Sequence, residues 1–131
     1  MFVDTSGWLC AIDERDFRHD TANRVFSSPT KLLTHSFVID ELVSLCYRRK
    51  FSRQRMLGFL DELFDDPSIS IIWVDEVLTL RAFELLKERP DKLWSLCDAV
   101  SFIVMSDHQL TEALTTDHHF EQAGFIKLLD S

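Results

Sequence analysis

The sequence predicts an α/β fold, with a mostly parallel sheet of four to five short strands flanked by helices. Three observations carry this. Short strand-like apolar runs alternate with longer helical patterns along the whole chain. Helix caps and breakers fall between them. The 131 residues, 46% hydrophobic and 27% charged, suffice for one domain with a filled core, expected to span 1–131. Eleven phenylalanines against one tyrosine suggest an apolar interior, and three glycines with three prolines leave little room for linkers.

Phe2-Val3 reads as a short buried strand ending at Asp4. Ser6-Gly7 breaks it, and Trp8 to Ile12 forms a brief helix. Asp16 to Phe26 is the next helix, ended by Ser27-Ser28-Pro29. Lys31 to Thr34 is a second strand. Ser36 N-caps a helix running to about Arg49, and Ser52 starts another that reaches Asp65 before Asp66-Pro67 stops it. Ser70 to Val74 is a third, buried strand. Asp75 begins a helix to about Arg89, closed by Pro90, and Ser95 caps one to Met105 or Ser106. Thr111 to Leu114 is a fourth strand. A small helix ends at Gly124, and Phe125 to Leu128 is a fifth strand.

Several classes of protein fit poorly. The N-terminus lacks a basic n-region, and Asp4 falls where a signal peptide's apolar core would run. The most apolar run, Ala99 to Met105, is too short to span a membrane. Cys10, Cys46 and Cys97 are odd in number and unpaired in spacing, which suits buried free thiols in a reducing cytoplasm better than a zinc site. The net charge of −8 does not favour nucleic acid, whose binding rests on Lys and Arg at phosphates. Against that stands a local basic patch, Arg48, Arg49, Lys50, Arg53 and Arg55. It is either a solvated helix end or a contact for phosphate or a partner.

Four acids sit beside apolar segments, where unpartnered charges are rare. Asp4 ends the first apolar run, with the hydroxyls of Thr5 and Ser6 next to it; its local alternative is an N-cap. Glu41 shares a helix face with Val38 and Leu45, whereas Asp40 lies on a more polar side with Ser36 and Ser44. Asp98 lies in a helix that is apolar nearly all round, on a polar stripe with Ser95 and Ser101. Ser95-x-x-Asp98 also resembles a capping box, and one carboxylate oxygen can cap while the other binds a metal. Asp117 follows Thr115-Thr116 and either caps the small helix or joins the other acids. His118 and His119 are adjacent, a spacing unsuited to zinc, and read as surface or supporting residues. Asp107 and His108 read as solvated helix-end residues, with Asp107 a possible peripheral acid.

Clustered carboxylates suit Mg²⁺, which takes hard oxygen ligands and keeps several waters. One or two such ions ionise an attacking water and neutralise a phosphate. Without metal the acids would repel, and at least one pKa should rise.

Phe-Val-Asp4-Thr-Ser, Asp40-Glu41-Leu, Ser-Leu-Cys-Asp98-Ala-Val-Ser and Leu-Thr-Thr-Asp117-His-His-Phe together resemble the PIN-domain ribonucleases, and more narrowly the VapC-type toxins of prokaryotic toxin–antitoxin systems. The pieces span almost the whole chain in the family's order. The resemblance implies a Rossmann-like, PIN-like sheet and an Mg²⁺- or Mn²⁺-dependent endoribonuclease. It maps the acidic quartet onto Asp4, Glu41, Asp98 and Asp117, with a supporting hydroxyl at Thr5, Ser6 or Thr116. It also implies an RNA substrate, a homodimer and a small antitoxin partner. For the dimer, the apolar helices at Trp8 to Phe26 and Phe51 to Phe64 are the expected contact surfaces.

Rival readings remain. A haloacid-dehalogenase phosphotransferase would want a second Asp where Ser6 stands, and a receiver domain needs an acidic pair and Lys that are not found. The rival from another class is a PIN-like binding or assembly module with a structural or vestigial metal site.

Overall fold

The computed structural model describes residues 1–28 and 30–131. The strands are β1 (Phe2–Val3), β2 (Leu32–His35), β3 (Ile69–Ile72), β4 (Glu112–Leu114) and β5 (Ile126–Lys127). They form one parallel sheet in the order β3-β2-β1-β4-β5. The helices are α1 (Thr5–Ile12), α2 (His19–Phe26), α3 (Ser36–Arg48), α4 (Arg53–Asp65), α5 (Glu76–Glu88), α6 (Leu96–Asp107) and α7 (His118–Gln122). The α/β parallel sheet flanked by helices is therefore the fold expected.

Chain order explains where a site can form. β2 lies on one side of β1 and β4 on the other, so the strand order reverses between β1 and β4. Connections leave the sheet in opposite directions there, opening a crevice beyond the carboxyl ends of those strands. Register aligns them: Phe2 pairs with Ala113 and Val3 with Leu114. The next residues, Asp4 and Thr115, thus emerge side by side. Phe2, Val3, Ala113 and Leu114 are fully buried. The central strands hold their ends rigidly because both faces are covered.

Some boundaries differ from expectation, each for a physical reason. Ser6-Gly7 does not break the chain; α1 already starts at Thr5. Gly7 is required because a Cβ there would strike the carbonyl oxygen of Leu114 and lie 3.1 Å from Val3 Cγ1. A residue that reads as a breaker in sequence is here the point where helix and sheet approach most closely. Asp16 precedes α2 instead of starting it, since its carboxylate accepts the Arg18 backbone N–H at 2.8 Å and both Nε and Nη2 of that guanidinium at 2.9 Å. These bonds offer the backbone an alternative to helix. Ser27 is the C-cap of α2, and the stop expected at Pro29 lies outside the described residues. The third strand runs one or two residues earlier than read, and as an edge strand it is half-buried instead of buried.

The cap of α3 is His35, not Ser36. Its Nδ1 accepts the Val38 backbone N–H at 3.3 Å, and Ser36 Oγ accepts the Val74 N–H at 2.8 Å instead. His35 is wholly buried, and burial pushes its pKa down to about 3. The ring is therefore neutral, with its proton on Nε2, which donates to Ser101 Oγ at 2.8 Å. The Ser101 hydroxyl donates in turn to the Cys97 carbonyl at 3.0 Å. This chain ties the start of α3 to the first turns of α6. Ser101, expected on the polar stripe beside Asp98, is occupied by that tie.

All three cysteines are free; Cys10 and Cys46 are buried, while Cys97 is half-buried. No helix among the described residues is long and apolar enough to cross a membrane. Most of the apolar residues of the first two helices face the core, Trp8 among them. Large exposed apolar side chains gather instead where Phe64 stacks on Trp73, at 6.2 Å between ring centroids, and along α5 at Val77, Leu80 and Phe83.

Candidate active site

Asp4 directly follows β1, where the strand order reverses. It holds the N-cap position of α1 in extended conformation, yet its side chain makes no capping hydrogen bond. The local explanation for this acid therefore fails. Asp4 is 6% exposed, and its pKa rises to about 7. Burial is the main cause. Hydrogen bonds from the Thr5 backbone and the Thr115 hydroxyl oppose the rise, and the charges of Asp98 and Glu41 add to it. One pKa was expected to rise through repulsion among the acids; that of Asp4 rises, but chiefly through burial.

Thr115 is the residue the sequence reading missed. Its hydroxyl donates to Asp4 Oδ2 at 3.0 Å. Its Oγ1 also accepts the Asp117 backbone N–H at 3.0 Å, and Ser6 Oγ lies 3.2 Å away. Ser6 Oγ accepts the Thr116 backbone N–H at 2.9 Å. Of the three hydroxyl residues expected to support the acids, Ser6 therefore holds the β4 end in place. Thr116 contributes its backbone to that contact. Thr5 is different: its Oγ1 is buried and has no hydrogen-bond partner. Each such orphan costs about 1–3 kcal/mol unless something not yet bound satisfies it.

Asp98 comes from the first turn of α6. The capping box with Ser95 is present: Ser95 Oγ accepts the Asp98 N–H at 3.0 Å, and Asp98 Oδ2 accepts the Ser95 N–H at 3.1 Å. His119 Nδ1 approaches the same Oδ2 at 3.0 Å. Capping leaves one oxygen over: Oδ2 takes both contacts, and Oδ1 takes none of the hydrogen bonds among the described residues. Asp117 caps α7 through Oδ1, which accepts the His119 N–H at 2.9 Å. His119 Nδ1 is 3.4 Å from that same oxygen, so one imidazole stands between two acids.

The reason given for setting the histidine pair aside does not survive. The rings of His118 and His119 approach to 4.5 Å between centroids, and Asp117, His118 and His119 offer ligand atoms within 4.8 Å of one another. They stand in the first turn of a five-residue helix, where the N-cap contact folds Asp117 back over them. His118 is exposed, as expected of a surface residue, whereas His119 is half-buried against Asp98.

Glu41 stands on α3. It is half-buried and near enough to Asp4 to raise that pKa, and it also acts on Cys97, whose thiol burial and the surrounding acids push strongly upward. Asp107 is held elsewhere, in a two-bond ion pair with Arg81 at 2.7 and 3.0 Å. The basic patch divides: Arg55 turns to the Ile12 carbonyl at the end of α1, while Arg48 lies on the face that carries Glu41. A larger cavity of about 650 Å³ between α1, α2 and α4 has none of the four acids in its wall.

Buried oxygen ligands, no competing thiolate and an orphan hydroxyl fit a hard divalent cation. Parallel sheet order, crevice and acids together define a class, and the chain belongs to the PIN-domain family, whose model matches residues 1–126. The 23S rRNA-specific endonuclease VapC20, from two strains of Mycobacterium tuberculosis, is 31% identical over 129 residues, covering 98% of this chain and 97% of that protein. The crystal structure of VapC20, a Sarcin-Ricin loop cleaving toxin, has a TM-score of 0.85 at 30% identity and covers 96% of both chains. FitAcB from Neisseria gonorrhoeae has a TM-score of 0.63 at 14% identity, covering 96% of this chain and 94% of that one, which shows the fold alone. The chain is thus a homologue of a VapC-type endonuclease toxin.

Proposed function

We propose that the protein is a divalent-metal-dependent endoribonuclease, the toxin of a toxin–antitoxin pair, acting through Asp4, Glu41, Asp98 and Asp117. The observation that carries this is Asp4: a buried carboxylate that caps nothing, sits beside two further acids and resists ionisation without a cation. Asp4 and Asp98 are the principal ligands for Mg²⁺ or Mn²⁺. Glu41 and Asp117 complete that site or hold a second ion. A bound cation supplies neutralisation of the phosphate charge and a water made acidic enough to attack near neutral pH.

The protein's own groups do the positioning. Thr115 orients Asp4 through its hydroxyl, and Ser6 fixes Thr115. His119 stands between Asp98 and Asp117, its Nδ1 3.0 Å from the first and 3.4 Å from the second. The Thr5 hydroxyl is free to hold a water or a phosphate oxygen. Attack by water needs no 2′-hydroxyl, so the expected products carry 5′-phosphate and 3′-hydroxyl ends.

The likeness to VapC20 supports 23S rRNA, and its sarcin–ricin loop, as the first substrate to test. It also supports a small antitoxin whose segment blocks the site, and action in the cytoplasm. Exposed Val77, Leu80 and Phe83 on α5, and Phe64 stacked on Trp73, support a homodimer; of the two surfaces expected from sequence, Phe51 to Phe64 keeps an exposed aromatic at Phe64, while Trp8 to Phe26 turns most of its apolar residues to the core. Purified protein and Asp98→Asn are incubated with a sarcin–ricin-loop RNA and a mixed RNA pool, with Mg²⁺, Mn²⁺ or EDTA, and product ends are mapped. Cutting by wild type alone, and only with metal, is expected. Products with 2′,3′-cyclic phosphate, or cutting in EDTA, would refute the mechanism. A folded wild type that cuts nothing would favour the binding-module reading.

A further inference from the structure

A second cavity, of about 450 Å³, adjoins the acids and is lined by Phe37, Asp40, Glu41, Ser44, Arg48 and Cys97. Five of these residues lie on α3, and Phe37, Glu41, Ser44 and Arg48 follow the spacing of a single helical face. The sixth, Cys97, precedes Asp98 on α6. Of the four acids Glu41 alone lines the cavity, which follows α3 towards its C-terminus. Its volume lies in the range of small-ligand sites.

The chemistry along that face changes in order. Phe37 is a half-buried aromatic ring, held edge-on against buried His35 at 6.3 Å between centroids. Asp40 and Ser44 offer hydrogen-bond acceptors midway. Arg48 is exposed and makes no ion pair among the described residues, unlike Arg18, Arg55, Arg81 and Arg89. An aromatic surface, acceptors and an unpaired guanidinium in one cleft are the requirements of an unstacked nucleotide: a face for the base, acceptors for its amino edge and a cation for a phosphate.

We propose that this cleft is a nucleotide subsite, taking a base adjacent to the cleaved bond and selecting one with an exocyclic amino group. Phe37 stacks on the base, Asp40 and Ser44 read its edge, and Arg48 holds the flanking phosphate. The proposal rests on the endoribonuclease reading above, and it assigns part of sequence selection to α3. It also reconciles an acidic chain with an RNA ligand, because the one cation needed is kept free of internal partners.

The test uses a sarcin–ricin-loop RNA with each nucleotide near the cut replaced in turn by an abasic residue or by uridine. Binding is measured by fluorescence anisotropy on the Asp98→Asn background with Mg²⁺, and KM and kcat on the wild-type background. Arg48→Ala is expected to weaken binding about 10-fold and to lower the slope of log affinity against log salt by about 0.7, the loss of one single-strand phosphate contact. Arg49→Ala, equally exposed but outside the cleft, should change neither. For wild type, the abasic change at one position should cost about 10-fold, within the range of one base–aromatic stack. Phe37→Leu should abolish that positional penalty, Phe37→Tyr should retain it, and Asp40→Asn should abolish the discrimination against uridine there. Raised KM with unchanged kcat marks a subsite; lowered kcat alone would not. If Arg48→Ala and Phe37→Leu bind and cut like wild type, the inference is overturned and the cleft is left to a protein partner. If wild type binds through Arg48 and Phe37 but cuts nothing, the subsite stands and the hydrolytic reading falls.

Discussion

Asp4→Asn should stabilise the metal-free protein, and more so at high pH. The side chain keeps its shape, and an amide oxygen can still accept from the Thr115 hydroxyl, which donates to Asp4 at 3.0 Å. What disappears is the charge. The folded pKa is about 7 against an ordinary 3.8, so the native state keeps a proton that the unfolded chain releases between those values. Folding stability therefore falls as pH rises through that window. At about 1.4 kcal/mol per pKa unit, ionising Asp4 costs roughly 4 kcal/mol by pH 8 and about 2 kcal/mol at pH 5. Asn bears neither cost. Urea denaturation in EDTA at the two pH values should show the variant ahead by those amounts, with the gap widening by about 2–3 kcal/mol from acid to base. Adding Mg²⁺ should raise the wild-type midpoint and leave Asp4→Asn unmoved, because a cation held by the native state alone stabilises it by mass action. A gap that is the same at both pH values, or a less stable variant, would refute the reasoning. Asp4 would then be solvated, or paired with a group that is already charged.

Other expectations follow from the same contacts. Gly7→Ala should cost about 3 kcal/mol or more in thermal denaturation, because the new methyl must push α1 off the Leu114 carbonyl. His119→Gln should weaken Mn²⁺ binding, read by calorimetry, by about 10-fold, whereas His119→Asn, which keeps a donor near the Nδ1 position between Asp98 and Asp117, should bind nearly as wild type. Ser101→Ala should cost about 1–3 kcal/mol and speed hydrogen exchange at the start of α3, since it leaves the buried His35 Nε2–H without an acceptor. Asp107→Asn should change stability by less than about 1 kcal/mol and leave RNA cleavage unaltered, as its pair with Arg81 is exposed and remote from Asp4.

What was legible in the sequence was what local chemistry writes there. The Ser52, Asp75 and Ser95 caps, the capping box at Asp98 and the alternation of strands with helices all depend on residues a few positions apart. What escaped notice depends on pairing across the sheet. Thr115 meets Asp4 only because β1 and β4 are neighbours in a register that places them side by side, 111 residues apart in sequence. His119 meets Asp98 across two helices, and Gly7 looks like a breaker until Leu114 is set against it. His35 does not look like a cap in sequence, because hydroxyls and carboxylates usually take that role, and only burial makes a neutral imidazole a good acceptor.

The same contrast separates the four acids from one another. Asp4, Asp98 and Asp117 each had a local use as a cap available in sequence, and the fold grants that use unevenly. Asp117 spends one oxygen on its cap, and Asp98 one oxygen on its cap and on His119. Asp4 occupies a cap position without capping, and Glu41 has only its place beside Cys97 and the other acids. A carboxylate that is buried, uncapped and flanked by like charge gains nothing for the fold by being ionised. The polypeptide keeps it there with a hydroxyl trained on it and another left without a partner. That combination is costly to a purely structural domain, and under the proposed function a divalent cation would offset the desolvation of Asp4 and screen the repulsion from Asp98 and Glu41.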